Sequence, residues 1–465
     1  MSFLFTAPAG HRLSPARKAA FTVGDYACNL YWQSVSIYLL FFYTDVVGLS
    51  AATAGLIYMI ASIFDGAIDP LMGAVADKTR TKHGRYRPYL IWGAAPLGFA
   101  FVLLYFKPPL EGMALVTWIL VAHLIFRVAY TALSIPYTSL NARITDSSAE
   151  RSTLAGFRMI FATLAGLTIA ATTQPLAAAL GGADTAWGYT LAAAVYAVIA
   201  TAIFPFVYLT TREPVDEPGE KAPPIRMAQY WAAVRGNRAF WAVMAAICTA
   251  VICSTALGKS VLYYFKYYLN DEASGRIALS LTAASGLVII PGWIFASKLL
   301  GKRTVWFVSV FWGLACLTGF ALNDIRDAGL MIAFLLLTHI SSLGAAMTFW
   351  SMLPDTVEYG EWRTGLRAES FIFGLGQFFL KVALGLGAGI FGWSLDFVGF
   401  HPNVAQTPGT LAGLKTIMVV LPMSGLALGG LAMLIYPLRK GVHEDIVEQL
   451  AARRRVPPEG VAETQ

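Results

Sequence analysis

Charged side chains are scarce in this sequence. Of its 465 residues, 13% are charged and 57% are hydrophobic, whereas soluble domains carry about 25% charged residues. So few charges cannot cover the water-facing surface of a chain this long, which excludes an ordinary soluble protein and favours lipid as the solvent. The six histidines and four cysteines form no group with metal-ligand spacing. No nucleophile–base grouping is visible either, which argues against an enzyme.

The basic residues are dispersed in short clusters between apolar runs, and the formal net charge is +7. A nucleic-acid-binding protein concentrates Lys and Arg on one accessible face, so we expect no nucleic-acid partner. The first twenty residues lack the apolar run and cleavage site of a signal peptide. They are predicted to remain as a cytoplasmic tail.

Apolar runs long enough to cross a membrane recur along the chain. A spanning helix needs about 20 mostly apolar residues. Such runs lie at 23–44, 52–76, 88–106, 113–140, 153–180 and 187–210, and again at 239–266, 277–299, 304–322, 329–353, 369–397 and 412–436. The sequence therefore predicts an all-α membrane protein of twelve transmembrane helices in two six-helix halves. That is the plan of the major facilitator fold, which binds substrate between its halves.

The loops predict the orientation. Residues 77–87 after the second run are rich in Lys and Arg, whereas 45–51 and 181–186 contain none. Basic loops stay in the cytoplasm, so both termini are expected there. The predicted segments are an N-terminal tail 1–22, a half 23–210, a cytoplasmic linker 211–236, a half 237–436 and a C-terminal tail 437–465.

Two carboxylates lie inside the second run. Asp65 and Asp69 are four residues apart, with Ser62 and Gly73 on the same helical face. A charge at the centre of a membrane helix costs about 2.5–3.5 kcal/mol, so such residues are candidates for function. Two neighbouring acids repel each other, and a proton or a metal cation relieves the repulsion. The pattern predicts a coupling-cation site; the alternative is an acid paired with a basic residue for packing.

Three other runs carry polar stripes at helical spacing. The stripe on the first run suits hydrogen bonding to hydroxyl groups, with polar contacts between helices as the alternative. A lysine as deep in its run as Lys381 needs an anionic partner or a water-filled cavity. Arg127 could also pair with one of the two acids. The candidates are Asn29 and Gln33 on the first run, beside Asp25; Arg127, Thr131, Ser134 and Thr138 on the fourth; and Gln377 and Lys381 on the eleventh.

Several strings resemble one family of transporters, and they run in order across both halves. They are 42–50 (FYTDVVGLS), 65–73 (DGAIDPLMG) with the basic loop that follows, 134–137 (SIPY), 354–361 (PDTVEYGE) and 367–370 (RAES). The chain resembles the glycoside–pentoside–hexuronide:cation symporters, the melibiose permease family of the major facilitator superfamily.

This resemblance implies roles for individual residues. Asp65 and Asp69 match the two cation-binding acids, and Thr131 matches a hydroxyl near them. Lys381 matches a lysine at the junction of the cation and sugar sites. Asp355 matches an acid linked to conformational change.

Some positions depart from melibiose permease. Asn29 and Ser134 stand where that permease has aspartates that hold its galactoside, so melibiose itself is not the expected substrate. Ile68 replaces a neutral oxygen ligand, and Arg127 replaces a small residue. Coupling to H⁺, to Na⁺ or to no ion therefore stays open.

The predicted function is uptake of a sugar (glycoside, pentoside or hexuronide) coupled to H⁺ or Na⁺ by alternating access. The chain would act as a monomer in a bacterial inner membrane, with lipid and a small sugar as partners and no cofactor beyond the coupling ion. The alternatives are a lipid or drug transporter of the same fold and a cation-independent sugar facilitator. Asp77, Arg80, Arg85 and Arg87, with Asp355, are predicted to form a cytoplasmic gate.

Overall fold

Helices make up all the regular structure of the residues that the computed structural model describes. These residues are 14–144, 148–213, 231, 234–366, 368–439 and 441–455. Parts of both predicted tails and most of the predicted linker lie outside these ranges, as does Arg367. The side chain of Asp77 also lies outside the described part.

The helices follow one another with short connections. The first group is α1 (Pro15–Phe41), α2 (Ala51–Lys78), α3 (Arg87–Trp92), α4 (Ala94–Leu104), α5 (Gly112–Ile144), α6 (Ser148–Gly181) and α7 (Thr185–Thr210). The second group is α8 (Arg238–Tyr263), α9 (Glu272–Leu300), α10 (Lys302–Leu322), α11 (Ala328–Thr364), α12 (Glu369–Phe397), α13 (Pro408–Leu434) and α14 (Val442–Arg455). Two π-helical turns, Phe42–Val46 and Tyr264–Tyr268, extend α1 and α8.

Ten helices among the described residues are long and apolar enough to cross a membrane, namely α2 and α5 to α13. Helix α1 corresponds to the first predicted run but begins earlier, because Ser14 caps its N-terminus and Pro15 fits its first turn. The third predicted run is divided into α3 and α4 at Gly93. Pro96 explains this division, since it has no N–H and clashes with the preceding turn of a continuous helix.

The two groups of helices meet along two pairs, α2 with α12 and α6 with α9. Helices α2 and α12 are antiparallel: Gly55 lies near Ala388 at one end, and Gly66 lies near Phe378 further along. We call the end of the bundle where α1 begins and α14 lies the terminal end. The opposite end, which carries the π turns, is the far end.

Hydrogen bonds join the two groups at the far end. The Thr44 and Tyr263 hydroxyls lie 2.7 Å apart. Lys266 Nζ is 2.6 Å from Asp45 Oδ1, and Asn403 Nδ2 donates to the Asp45 backbone oxygen at 2.6 Å. The side chain of Asp45 is only 1% exposed. These contacts close the far end, and we call the five residues the far-end seam.

Glycines bring α2 and α12 together at the same end. A Cβ atom on Gly392 would overlap the Ala51 backbone oxygen, and one on Gly55 would lie 2.9 Å from the Ala388 backbone oxygen. Small residues permit such close approach of membrane helices. The seam is therefore backed by tight backbone packing.

Candidate functional site

The two acids of α2 lie near the middle of that helix, on one face, as their spacing predicts. Thr131 Oγ1 on α5 donates to Asp65 Oδ1 at 2.8 Å and to Asp69 Oδ1 at 3.1 Å. Arg127 Nη1 is 3.2 Å from Asp65 Oδ2. Lys381 Nζ, on α12, is 3.0 Å from Asp65 Oδ2 and also forms an ion pair with Asp69. We call these five residues the central cluster.

The central cluster balances its own formal charge, with two carboxylates against two cations. Asp65 contacts both cations and is fully buried, whereas the side chains of Asp69 and Lys381 are 14% and 15% exposed. Asp69 also lies one helical turn closer to the terminal end, where α2 finishes. Asp69 is therefore the more accessible of the two acids and the one nearer the terminal end.

Buried polar and aromatic groups hold Arg127 in place. Its Nε donates to His123 Nε2 at 3.3 Å and its Nη2 to Ser62 Oγ at 3.4 Å. The guanidinium carbon lies 5.6 Å from the Trp32 ring centroid and 5.7 Å from that of Tyr58. Arg127 is 2% exposed, so it is a fixed cation next to Asp65.

The remaining predicted substrate residues do not join this cluster. Thr138 and Gln377 are exposed, whereas Asn29, Gln33 and Ser134 are partly exposed. Among the described residues, no hydrogen bond connects any of these five to the two acids. The Asn29 amide nitrogen donates to the Asp25 backbone oxygen at 2.8 Å, and a role of these residues in binding a sugar stays a prediction.

An acid–arginine pair that the sequence pattern did not predict lies between α1 and α6. Arg158 Nε is 2.9 Å from both oxygens of Asp25, and the Tyr137 hydroxyl donates to Asp25 Oδ2 at 2.6 Å. The Arg158 side chain is 25% exposed. The polar stripe of the first run contained Asp25, but no spacing rule connects residues 133 positions apart.

The predicted gate residues belong to two separate groups. On one side, the backbone N–H groups of Arg85, Tyr86 and Arg87 donate to the Glu213 carboxylate at 3.0, 2.9 and 3.1 Å. Glu213 is 6% exposed and was not singled out from the sequence, because it lies in the predicted linker. Arg80 Nη1 donates to the Thr79 backbone oxygen at 3.0 Å.

On the other side, Asp355 pairs within its own group of helices. Lys302 Nζ is 2.8 and 2.7 Å from its two oxygens. His443 Nε2, on α14, is 3.6 Å from Asp355 and 2.5 Å from Glu358. The structure therefore connects α10, α11 and α14 at the terminal end, and the predicted partnership of Asp355 with the basic loop stays a prediction.

Comparison with known families gives the identity. The family model described as MFS/sugar transport protein matches residues 20–440. The chain belongs to the MFS/sugar transport protein family. This membership confirms the resemblance found in the sequence, and the chain is a multi-pass membrane transporter rather than an enzyme.

Relatives within this family match almost the whole chain. The isoprimeverose transporter of Lactiplantibacillus pentosus is 32% identical over 443 residues, covering 91% of this chain and 89% of the relative. The uncharacterized symporter YnaJ of Bacillus subtilis is 30% identical and covers 96% of both chains. The putative glycoside/cation symporter YagG of Escherichia coli is 29% identical, covering 97% and 98%.

Solved structures share the fold at lower identity. A bacterial homologue of the human lysosomal transporter Spinster superposes with a TM-score of 0.69 at 15% identity, covering 91% of this chain and 98% of that one. The nucleoside transporter NupG superposes with a TM-score of 0.63 at 14% identity, covering 91% and 100%. Both likenesses support the membrane transporter fold.

Proposed function

We propose that this family member takes up a sugar together with a proton, by alternating access to one site between two six-helix halves. The observation that carries the proposal is the central cluster, in which the buried Asp65 and the partly exposed Asp69 share one lysine from the other group of helices. Relatives named as an isoprimeverose transporter and a glycoside/cation symporter support a sugar and a coupled cation.

The proposed topology has twelve spans. The ten apolar helices, α1 with its π turn, and α3 with α4 as one broken span would give six spans before residues 211–236 and six after. The basic loop at 77–87 assigns the terminal end to the cytoplasm by the positive-inside rule. With the far-end seam closed, this conformation would be open towards the cytoplasm.

The geometry favours a proton over Na⁺ as the coupling ion. Na⁺ requires several oxygen ligands around one vacant position, whereas the position between the two carboxylates is held by the Lys381 ammonium. A proton needs one carboxylate oxygen and no vacancy. Asp69 is the acid that we assign to it, because Asp69 is partly exposed and has one cationic partner, whereas Asp65 has two.

Coupling then follows from the interaction across the α2–α12 contact. While Asp69 is charged, it attracts Lys381 and helps to hold the two helices together. Protonation removes that attraction and leaves the ammonium paired with Asp65 alone, an acid that Arg127 also neutralises. The sugar would bind beside it, with Asn29, Gln33 and Gln377 supplying hydrogen bonds. A ligand shifts a conformational equilibrium only through different affinities for its two states, so proton and sugar must both favour the transition of the loaded carrier.

Uptake into proteoliposomes tests the proposal. A panel of labelled glycosides, pentosides and hexuronides is offered with a pH gradient alone, with a Na⁺ gradient alone, and with neither. We expect accumulation only with the pH gradient. The Asp69→Asn variant should lose accumulation of the sugar but retain counterflow exchange. Asp396→Asn, at an exposed position on α12, is the matched control.

Accumulation driven by Na⁺ alone, or by a pH gradient in the Asp69→Asn variant, contradicts the proton assignment.

A second function, cation-independent facilitation of sugar entry, is favoured by the charge balance of the central cluster, which needs no added ion. That function predicts equilibration of the sugar under every gradient, with no accumulation, in the same experiment.

A further inference from the structure

A cavity of about 260 Å³ opens at the terminal end, away from the central cluster. It lies where α9 passes into α10 and where α13 is followed by α14. Its walls are Ser297, Lys298, Gly301, Lys302, Arg303, Asp355, Tyr436, Leu438, Arg439, His443 and Glu444. The transport mechanism uses none of these except Asp355, so the cavity needs its own explanation.

Basic side chains predominate in the walls. Lys298, Lys302, Arg303 and Arg439 face two acids, Asp355 and Glu444. Lys302 is neutralised by Asp355 at 2.7 Å. Lys298 and Arg439 are exposed and form no ion pair among the described residues, so the cavity retains a surplus of positive charge that attracts an anion.

Two buried polar atoms in the walls have no hydrogen-bond partner among the residues that the structure describes. The Tyr436 hydroxyl and Arg303 Nε are both buried and unsatisfied, and Tyr436 as a whole is 2% exposed. Both atoms can donate a hydrogen bond, and an unsatisfied buried donor costs about 1–3 kcal/mol. An acceptor-rich anion in the basic cavity would satisfy such donors.

Exposed apolar side chains flank the cavity. Leu299 and Leu300 directly follow Lys298, and Leu434 and Ile435 directly precede Tyr436; all four are 50–68% exposed. Such side chains face lipid in a membrane-spanning protein. An acyl chain lying against these four side chains would bring its headgroup phosphate next to the cavity.

We propose that this cavity binds the phosphate group of an anionic phospholipid, with Lys298, Arg439 and the Tyr436 hydroxyl as its ligands. The chemistry it recognises is a phosphate ester, which a soluble metabolite also carries, so the experiment must separate the two sources. Basic pockets between spans on the cytoplasmic side are a known form of lipid headgroup site.

The test measures binding to the purified full-length protein in a neutral detergent. The probes are dioctanoyl phosphatidylglycerol, dioctanoyl phosphatidylcholine and glycerol 1-phosphate. We expect the first to bind at least about tenfold more tightly than the second, because each Lys or Arg near an anionic surface contributes about 1 kcal/mol. Equal affinity for glycerol 1-phosphate supports the site and makes the soluble ester its ligand.

Two variants and one control make the result specific. Lys298→Ala/Arg439→Ala should weaken binding of phosphatidylglycerol about tenfold or more. Tyr436→Phe removes only a hydroxyl that has no partner in the described part of the chain, so it should weaken binding without lowering the melting temperature. Lys78→Ala/Arg212→Ala removes two exposed charges from the same end, outside the cavity, and should leave binding unchanged.

Three results overturn the proposal. One is equal binding of phosphatidylcholine and phosphatidylglycerol, with no binding of glycerol 1-phosphate. Another is equal loss of binding in the two double variants, which indicates general surface charge. The third is unchanged binding by Tyr436→Phe in a protein whose melting temperature matches that of the parent.

Discussion

The far end and the terminal end of this transporter are held together in different ways. At the far end, hydrogen bonds cross between the two groups of helices, from Asp45 to Lys266 and from Thr44 to Tyr263. At the terminal end, the ion pair of Asp355 with Lys302 and the contacts of Glu213 with 85–87 each stay within one group.

This difference shows where the bundle can open. Contacts that cross the interface between the two groups must break when the far end opens. Contacts within one group can stay intact, because that group moves as a rigid body. The central cluster lies between the two ends and also crosses the interface, through Lys381. In the proposed cycle, protonation of Asp69 and opening of the far-end seam are linked, because both change contacts across this interface.

The largest effect is expected from Asp45→Ala, which breaks the seam. It removes the partner of Lys266 and the hydrogen bond from the Tyr267 hydroxyl, and hydrogen bonds to charged groups contribute about 1.5–3 kcal/mol each. The terminal ends should then approach each other. The measurement is the distance between spin labels at residues 78 and 364, in a background without the native cysteines.

Asp324→Ala is the control for this change. Asp324 is an exposed acid that pairs with Arg326 in its own group of helices, so its loss should leave the label distance unchanged. An unchanged distance in Asp45→Ala would show that the seam does not set the conformation.

Gly392→Ala should open the same end by steric means, with a smaller effect. The added Cβ would overlap the Ala51 backbone oxygen, and overpacking costs about 1–3 kcal/mol. Gly374 lies on the same helix, and a methyl group added there would have no neighbouring atom within 4 Å. Gly374→Ala should therefore stabilise the protein by up to about 1 kcal/mol through helix propensity, as thermal unfolding in detergent can show.

Glu213→Gln tests whether the terminal-end contacts act only within their group. It weakens three hydrogen bonds to a buried carboxylate, at a cost of about 1–2 kcal/mol. We expect a lower melting temperature and faster proteolysis within 77–87, with an unchanged distance between the labels at 78 and 364. A changed distance would mean that Glu213 also controls opening.

The smallest effect is expected from Glu444→Gln at the start of α14. Glu444 Oε2 accepts the Gly441 backbone N–H at 2.8 Å, and such a cap contributes about 0.5–1 kcal/mol. Hydrogen bonds from the backbone N–H groups of Glu444 itself and Gly441 lower the pKa of this carboxyl below its usual 4.5. Its stabilising contribution is therefore present above pH 4.5 and lost as the pH falls through the lowered value.

Thermal unfolding of the parent and of Glu444→Gln between pH 3 and pH 7 measures that contribution. The two curves should converge at the acidic end, because protonation removes from the parent the charge that the substitution removes. A gap that widens on acidification would contradict the assignment.

The central cluster could be predicted in part from the sequence. The four-residue spacing of Asp65 and Asp69 places both on one face, and Arg127 and Thr131 follow the same rule on α5. The ion pairs of Lys381 with both acids could not be derived from residue spacing, because they depend on how α12 packs against α2. Glu213 was missed for the same reason: its three donors lie more than 120 positions away.

By itself, the sequence determined the solvent, the helical class and the positions of most spans. The sequence has few charges and long apolar runs. In lipid, such runs form helices, because a helix satisfies the hydrogen bonds of its backbone groups within one segment. The tertiary structure decided which buried charges meet, which end of the bundle is closed and where the terminal cavity lies. Those outcomes depend on contacts between helices that are far apart in the sequence. The packing of the helices determines these contacts, and the local periodicity of the sequence contains no information about that packing.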